Sequence, residues 1–99
     1  MISIKIHRSY RNVVAACDSE LIGKKFEEGK LQLDIRENFY KNQEVSEEEL
    51  KRILILQAKE DSTFNIIGEK AIKVALEVGI IDEDSVSHVN KIPFALTLI

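Results

Sequence analysis

The side chains most able to do chemistry lie in one run, Cys17-Asp18-Ser19-Glu20-Leu21-Ile22-Gly23-Lys24-Lys25. It holds the chain's only cysteine. A nucleophilic thiolate there would need its pKa lowered by a helix amino terminus or by Lys24 and Lys25. Asp18 opposes that charge, and neither His7 nor His88 is close in sequence to act as its base. A small buried hydrophobe at a strand end is the simpler reading. Asp18 and Glu20 could form a carboxylate pair for acid–base work. More commonly such residues cap a helix and favour its dipole. Gly23-Lys24-Lys25 could approach a phosphate but lacks the spacing of a P-loop.

A second constellation is Asn65 with Glu69, four residues apart around Gly68. If a helix starts at Asn65, its side chain caps the first turn and Glu69 lies above it. Free amides at such a start suit an anion. The plainer reading makes Asn65 a cap and Glu69 a dipole partner. One cysteine and two distant histidines give no metal-ligand spacing, so no metal and no cofactor is expected. Glu47-Glu48-Glu49 point around a helix and do not converge. No nucleophile elbow or dinucleotide fingerprint is visible, and no aromatic stacking pair.

These groups must be held by elements that the hydrophobic pattern defines. Ile2, Ile4 and Ile6 alternate with polar residues as a half-buried strand does, and Val13-Val14-Ala15-Ala16-Cys17 reads as its buried hairpin partner. Asp18 is placed to cap a short turn through Leu21 and Ile22. Leu31, Leu33 and Ile35 suggest a third extended segment, and Glu37 to Tyr40 one turn that docks two aromatics. Ser46-Glu47-Glu48-Glu49 is a capping box opening a helix from Ser46 to Lys59, with Leu50, Ile53 and Leu54 inward. A second helix is expected from Ile67 to Val78, its inner face Ala71, Val74 and Val78, ended by Gly79. Val86 to Val89 and Phe94 to Leu98 read as strands around Pro93. The order strands, helices, strands predicts an α+β two-layer sandwich, a mostly antiparallel sheet with two main helices on one face.

Ninety-nine residues suffice for one domain, expected over 1–99. The net charge of −3 argues against a broad nucleic-acid face. Four phenylalanines, two tyrosines and no tryptophan leave base stacking little to work with. A single cysteine permits no internal disulfide and suits a reducing cytoplasm. No apolar run is long enough to span a bilayer, and Met1 to Lys5 lack a signal peptide's apolar block.

Taken together, Cys17-Asp18, Glu20-Leu21, Gly23-Lys24, Glu28-Gly29-Lys30-Leu31, Phe39-Tyr40, Asn65-Ile66-Ile67-Gly68-Glu69 and Gly79-Ile80-Ile81-Asp82 resemble an archaeal protein family, domain of unknown function 424. The resemblance runs almost end to end. It implies a small α/β domain, no established activity, and a setting among translation and ribosome-related genes. One departure stands out: where the family usually has Pro-His-Ala-Gln, this chain has Pro93-Phe94-Ala95-Leu96.

Two functions are therefore expected to compete. One is a binding or adaptor module for RNA or a protein partner. A basic patch of Lys24 and Lys25 with Lys5, Arg8 and Arg11 would mark RNA, and a contiguous apolar patch a protein. The other is a small enzyme using Cys17, Asp18, Glu20, Asn65 and Glu69, marked by a pocket gathering them. The binding module is preferred. Its contact residues are expected to be Cys17, Asp18, Glu20, Lys24, Asn65, Glu69 and Pro93, brought to one edge by the breaks between elements.

Overall fold

The computed structural model describes residues 1–97. Strands β1 (Ile2–His7) and β2 (Val13–Asp18) form the expected hairpin, pairing Ile2 with Asp18 and His7 with Val13. A single 3-10 turn, Ser19–Leu21, leads into a second hairpin, β3 (Lys25–Glu28) and β4 (Leu31–Asp34). The one-turn helix α1 (Glu37–Tyr40) and strand β5 (Gln43–Val45) precede helix α2 (Glu47–Lys59). Then come β6 (Thr63–Ile67), helix α3 (Glu69–Val78), a 3-10 turn at Glu83–Ser85, β7 (Ser87–Val89) and β8 (Ile92–Thr97). The main sheet runs β5-β1-β2-β6-β8-β7 and is antiparallel except where β6 lies parallel to β2. It is the α+β sandwich that the order of elements predicts.

The central strand explains itself. Val13 to Cys17 is a continuous apolar run, and such runs suit strands covered on both faces. Val14 and Ala16 face α2 and α3, joining Leu50, Leu54, Phe64, Ile66 and Val74 in the larger core. Ala15 and Cys17 face the other way, into a smaller core with Leu21, Ile35, Tyr40 and Ile67. That second core is roofed by the β3–β4 hairpin through Phe26 and Leu33 and by α1 through Phe39. The two main helices thus cover one face, and a hairpin and a helical turn cover part of the other.

The capping box forms as the sequence requires. Ser46 Oγ accepts from the Glu49 amide at 3.2 Å, and the Glu49 carboxylate accepts from the Ser46 amide at 3.1 Å. These bonds hold the Glu49 carboxyl below its ordinary range. Gly79 closes α3 in the left-handed region at φ 80°.

Two expectations fail, and two strands lie where no element was expected. The second helix does not start at Asn65 or Ile67: both belong to β6, and α3 begins after Gly68. Residues 25–28 and 43–45 are strands although their sequences are polar, because each pairs with a partner that supplies the ladder bonds. Asp18 precedes the Ser19–Leu21 turn but its side chain makes no bond there. Of the last expected strand, Leu98 lies outside the described residues.

Candidate functional site

Asp18 ends β2, 4% exposed, and its carboxylate crosses to the start of α3. Oδ2 accepts from the Lys70 amide at 3.1 Å and Oδ1 from the Ala71 amide at 2.9 Å. The cap expected of Asn65 is thus supplied by Asp18, from a different part of the chain. Gly68 makes the approach possible. Its φ is 107°, and a Cβ there would stand 2.7 Å from both Asp18 oxygens. The anion site that a helix start offers is filled by the chain's own carboxylate.

Burial pushes the Asp18 carboxyl above its ordinary 3.8, while the two backbone amides pull it back. Asp18→Ala leaves those amides without acceptors and should cost about 2–3 kcal/mol in urea unfolding. Asp18→Asn keeps one acceptor and should cost less. A raised folded pKa means that the native state holds the proton more tightly than the unfolded chain. The stability due to this group is therefore full in acid and falls as pH rises through the folded value. The gap between wild type and Asp18→Asn should narrow with rising pH over that range; a gap that widens would contradict the assignment.

At this end of the sheet β2, β6 and β8 are neighbours. Cys17 is opposite Ile67, Ile67 is opposite Phe94, and the Gly68 amide donates to the Pro93 carbonyl at 2.9 Å. Asp18, Glu20 and Glu69 line a groove of about 250 Å³ with Leu21, Lys70 and Ile92. Glu20 lies 3.8 Å from Lys70 Nζ. Lys24 is exposed, and its backbone ties the turn to Leu21 and Ile35. Pro93 is buried within β8.

Cys17 and Asn65 do not reach this groove. Cys17 is fully buried, and its thiol donates to the Asp18 carbonyl at 3.2 Å. Burial first, then the charges of Asp18 and Glu20, push the thiol up to about 12. It should resist a thiol-reactive disulfide reagent at neutral pH in the folded protein and react fully once unfolded in urea. Fast labelling of the native protein would refute the buried assignment.

Asn65 opens instead on the opposite side of the sheet. There a cleft of about 320 Å³ lies between the β3–β4 hairpin and the sheet, lined by Gln32, Leu33, Asp34, Tyr40, Asn65, Ile67, Phe94 and Leu96 among others. Phe94 and Leu96, which stand where the family resemblance implies histidine and glutamine, are both on its wall. Tyr40 is 8% exposed, and burial pushes its hydroxyl up to about 12, so it remains a neutral donor. Neither that hydroxyl nor the Asn65 amide makes a side-chain hydrogen bond among the described residues. No fully enclosed polar side-chain atom among the described residues lacks a partner, so the Tyr40 hydroxyl is open to solvent. The sequence announced the docking of Tyr40 through the Phe39-Tyr40 turn. The signal for its role was that a buried tyrosine normally needs a partner for its hydroxyl.

The basic residues do not form one patch. Lys24 and Lys25 follow the Asp18 end of β2, while Arg8 and Arg11 sit in the turn at its Val13 end. Lys5 Nζ donates to the Asn38 carbonyl at 2.7 Å, and His7 stacks on Phe39 with ring centres 4.3 Å apart. Among the described residues no group of three or more His, Cys, Asp or Glu could hold a metal. No described helix is long and apolar enough to cross a membrane.

Fold and site define a small α+β sheet domain with one capped strand-to-helix junction and a cleft on the opposite face. The chain belongs to the family described as Protein of unknown function (DUF424), whose pattern matches residues 7–98. The chain is also similar to a solved structure described as an uncharacterized conserved protein from Methanopyrus kandleri. The two share 22% identity with a TM-score of 0.86, over 97% of this chain and 89% of that one. At that identity the likeness concerns the fold. Among curated proteins no sequence match is found.

Proposed function

We propose that this protein is a small binding module for a protein partner, with the cleft beside Tyr40 and Asn65 as its principal contact. The observation that carries this is a cleft of mixed apolar and polar lining in which the Tyr40 hydroxyl and the Asn65 amide make no hydrogen bond among the described residues. A few polar groups set among apolar side chains in a concave site are what an occupant's side chain can use for orientation. Glu20, Lys24 and Glu69, exposed at the neighbouring edge, are its outer contacts in this reading. The setting is a reducing cytoplasm, and the family resemblance makes translation the place to look for the partner.

The enzyme reading has less support. Its five residues are split between a groove and a cleft, Asp18 is committed to two amides, and the Cys17 thiol stays protonated at neutral pH. The RNA reading lacks the grouped basic patch on which it depends.

Affinity capture from an archaeal lysate, with and without nuclease, tests the proposal. A protein should be retained after nuclease treatment. Tyr40→Phe with Asn65→Ala should reduce its capture several-fold, and Lys24→Ala with Glu69→Ala should also weaken it. All four are expected to leave stability within about 1 kcal/mol. Tyr40→Phe removes a hydroxyl that makes no hydrogen bond among the described residues, so it should not destabilise. Capture lost on nuclease treatment, or unchanged in every variant, would defeat the reading.

A further inference from the structure

The chemistry of the cleft narrows what it accepts. We infer that the cleft binds a primary carboxamide on an apolar stem, presented as a glutamine or asparagine side chain of the partner; this rests on the binding-module reading above.

Among the described residues Asp34 is the one charged side chain on the wall, and Arg36 Nε donates to its carboxylate at 3.1 Å. A charged group entering the cleft would lose water and find no free counter-ion, which is costly. A neutral polar group loses less. Next comes the pattern of donors and acceptors. The Tyr40 hydroxyl stays protonated and offers a donor. The Asn65 amide offers a donor and an acceptor. A carboxamide answers both: its oxygen accepts from the tyrosine, and its NH2 donates to the asparagine carbonyl. A carboxylate could accept from both groups, but it would bring a second negative charge beside Asp34, and an alkyl group would leave both residues unpaired.

The walls supply the rest. Leu33, Ile67 and Phe94 give an apolar surface beside the polar pair. Leu96 is 64% exposed and stands at the rim, where the methylenes of a side chain would cover it. A cleft of about 320 Å³ is at the small end for ligand sites, which favours one inserted side chain over a large cofactor.

The test uses the intact protein, labelled with nitrogen-15, and four probes: acetyl-glutamine N-methylamide, its glutamate and leucine counterparts, and nicotinamide as a free amide. Each is titrated to roughly tens of millimolar, because single fragments bind weakly. The glutamine probe should shift the Asn65 side-chain NH2 and the Leu96 backbone amide in a saturable way. The glutamate and leucine probes should not. Asn65→Leu and Tyr40→Phe should each weaken glutamine-probe binding by about tenfold, the equivalent of one hydrogen bond left unmade. Equal binding of the glutamate probe overturns the inference, as does binding of nicotinamide without the glutamine probe. If no probe binds while Tyr40→Phe with Asn65→Ala still reduces partner capture, the carboxamide inference falls and the binding module stands. If no probe binds and capture is unaffected, both fall.

Discussion

Gly68→Ala should cost about 4 kcal/mol or more, a large part of the roughly 5–15 kcal/mol that holds an ordinary domain together. Two effects add. The glycine holds φ 107° and ψ 155°, a region essentially closed to other residues. The new methyl would also meet both Asp18 oxygens at 2.7 Å, with the carboxyl carbon nearer still. That carboxylate cannot step aside, because the Lys70 and Ala71 amides hold it. The clash makes the effect separable from backbone strain. In the double variant Asp18→Ala with Gly68→Ala the steric part disappears, so the loss should be less than the sum of the single losses. Urea unfolding of the four proteins measures this. A Gly68→Ala protein within about 1 kcal/mol of wild type would refute the junction as described.

That junction also shows where local sequence stops being informative. Asp18 lies 52 residues from Lys70 and 53 from Ala71, and nothing near it indicates which helix it caps. Ile67 misleads because it stands four residues before Ala71, so it extends the inner face of α3 backwards in phase. Only the backbone at Gly68 separates strand from helix. The hairpin β3–β4 was half legible. Leu31 and Leu33 alternate, but in Lys25–Glu28 a single apolar residue, Phe26, turns inward. The elements read well from sequence were those with a local cause. These are the alternation of β1, the apolar run of β2, the Ser46 capping box, and Gly79 at the end of α3.

The cleft was less legible still, for a related reason. Its polar groups come from β6 and α1, its apolar wall from β8, and its roof from β4. Tyr40 and Asn65 are 25 residues apart in the numbering, each ordinary in its own segment. What makes them notable is a shared space and the lack of other partners, and neither property is local. The exposed residues near the Asp18 junction drew attention because charges at element breaks are visible in sequence. Much of that charge proves structural: Asp18 caps α3 and Glu20 lies against Lys70.

Leu54→Ala should cost about 2–5 kcal/mol, whereas Leu56→Ala on the same helix should cost under about 0.5 kcal/mol. The two leucines are two residues apart, so they point to different sides of α2. Leu54 is fully buried in the larger core; Leu56 is 61% exposed. Truncating Leu54 removes its contacts with the face built from Ile4, Val14 and Phe64 and leaves a cavity that a sheet backed by a second core cannot easily collapse. Truncating Leu56 exposes almost nothing new. The comparison cancels helix propensity, since both changes put alanine in place of leucine in one helix. Similar losses at the two positions would mean that α2 presents a different face to the sheet. The expected contrast would also fix the sheet face on which the Tyr40–Asn65 cleft must lie. With α2 and α3 packed on Val14 and Ala16, the alternation of β2 and β6 leaves Cys17, Asn65 and Ile67 on the side away from the helices.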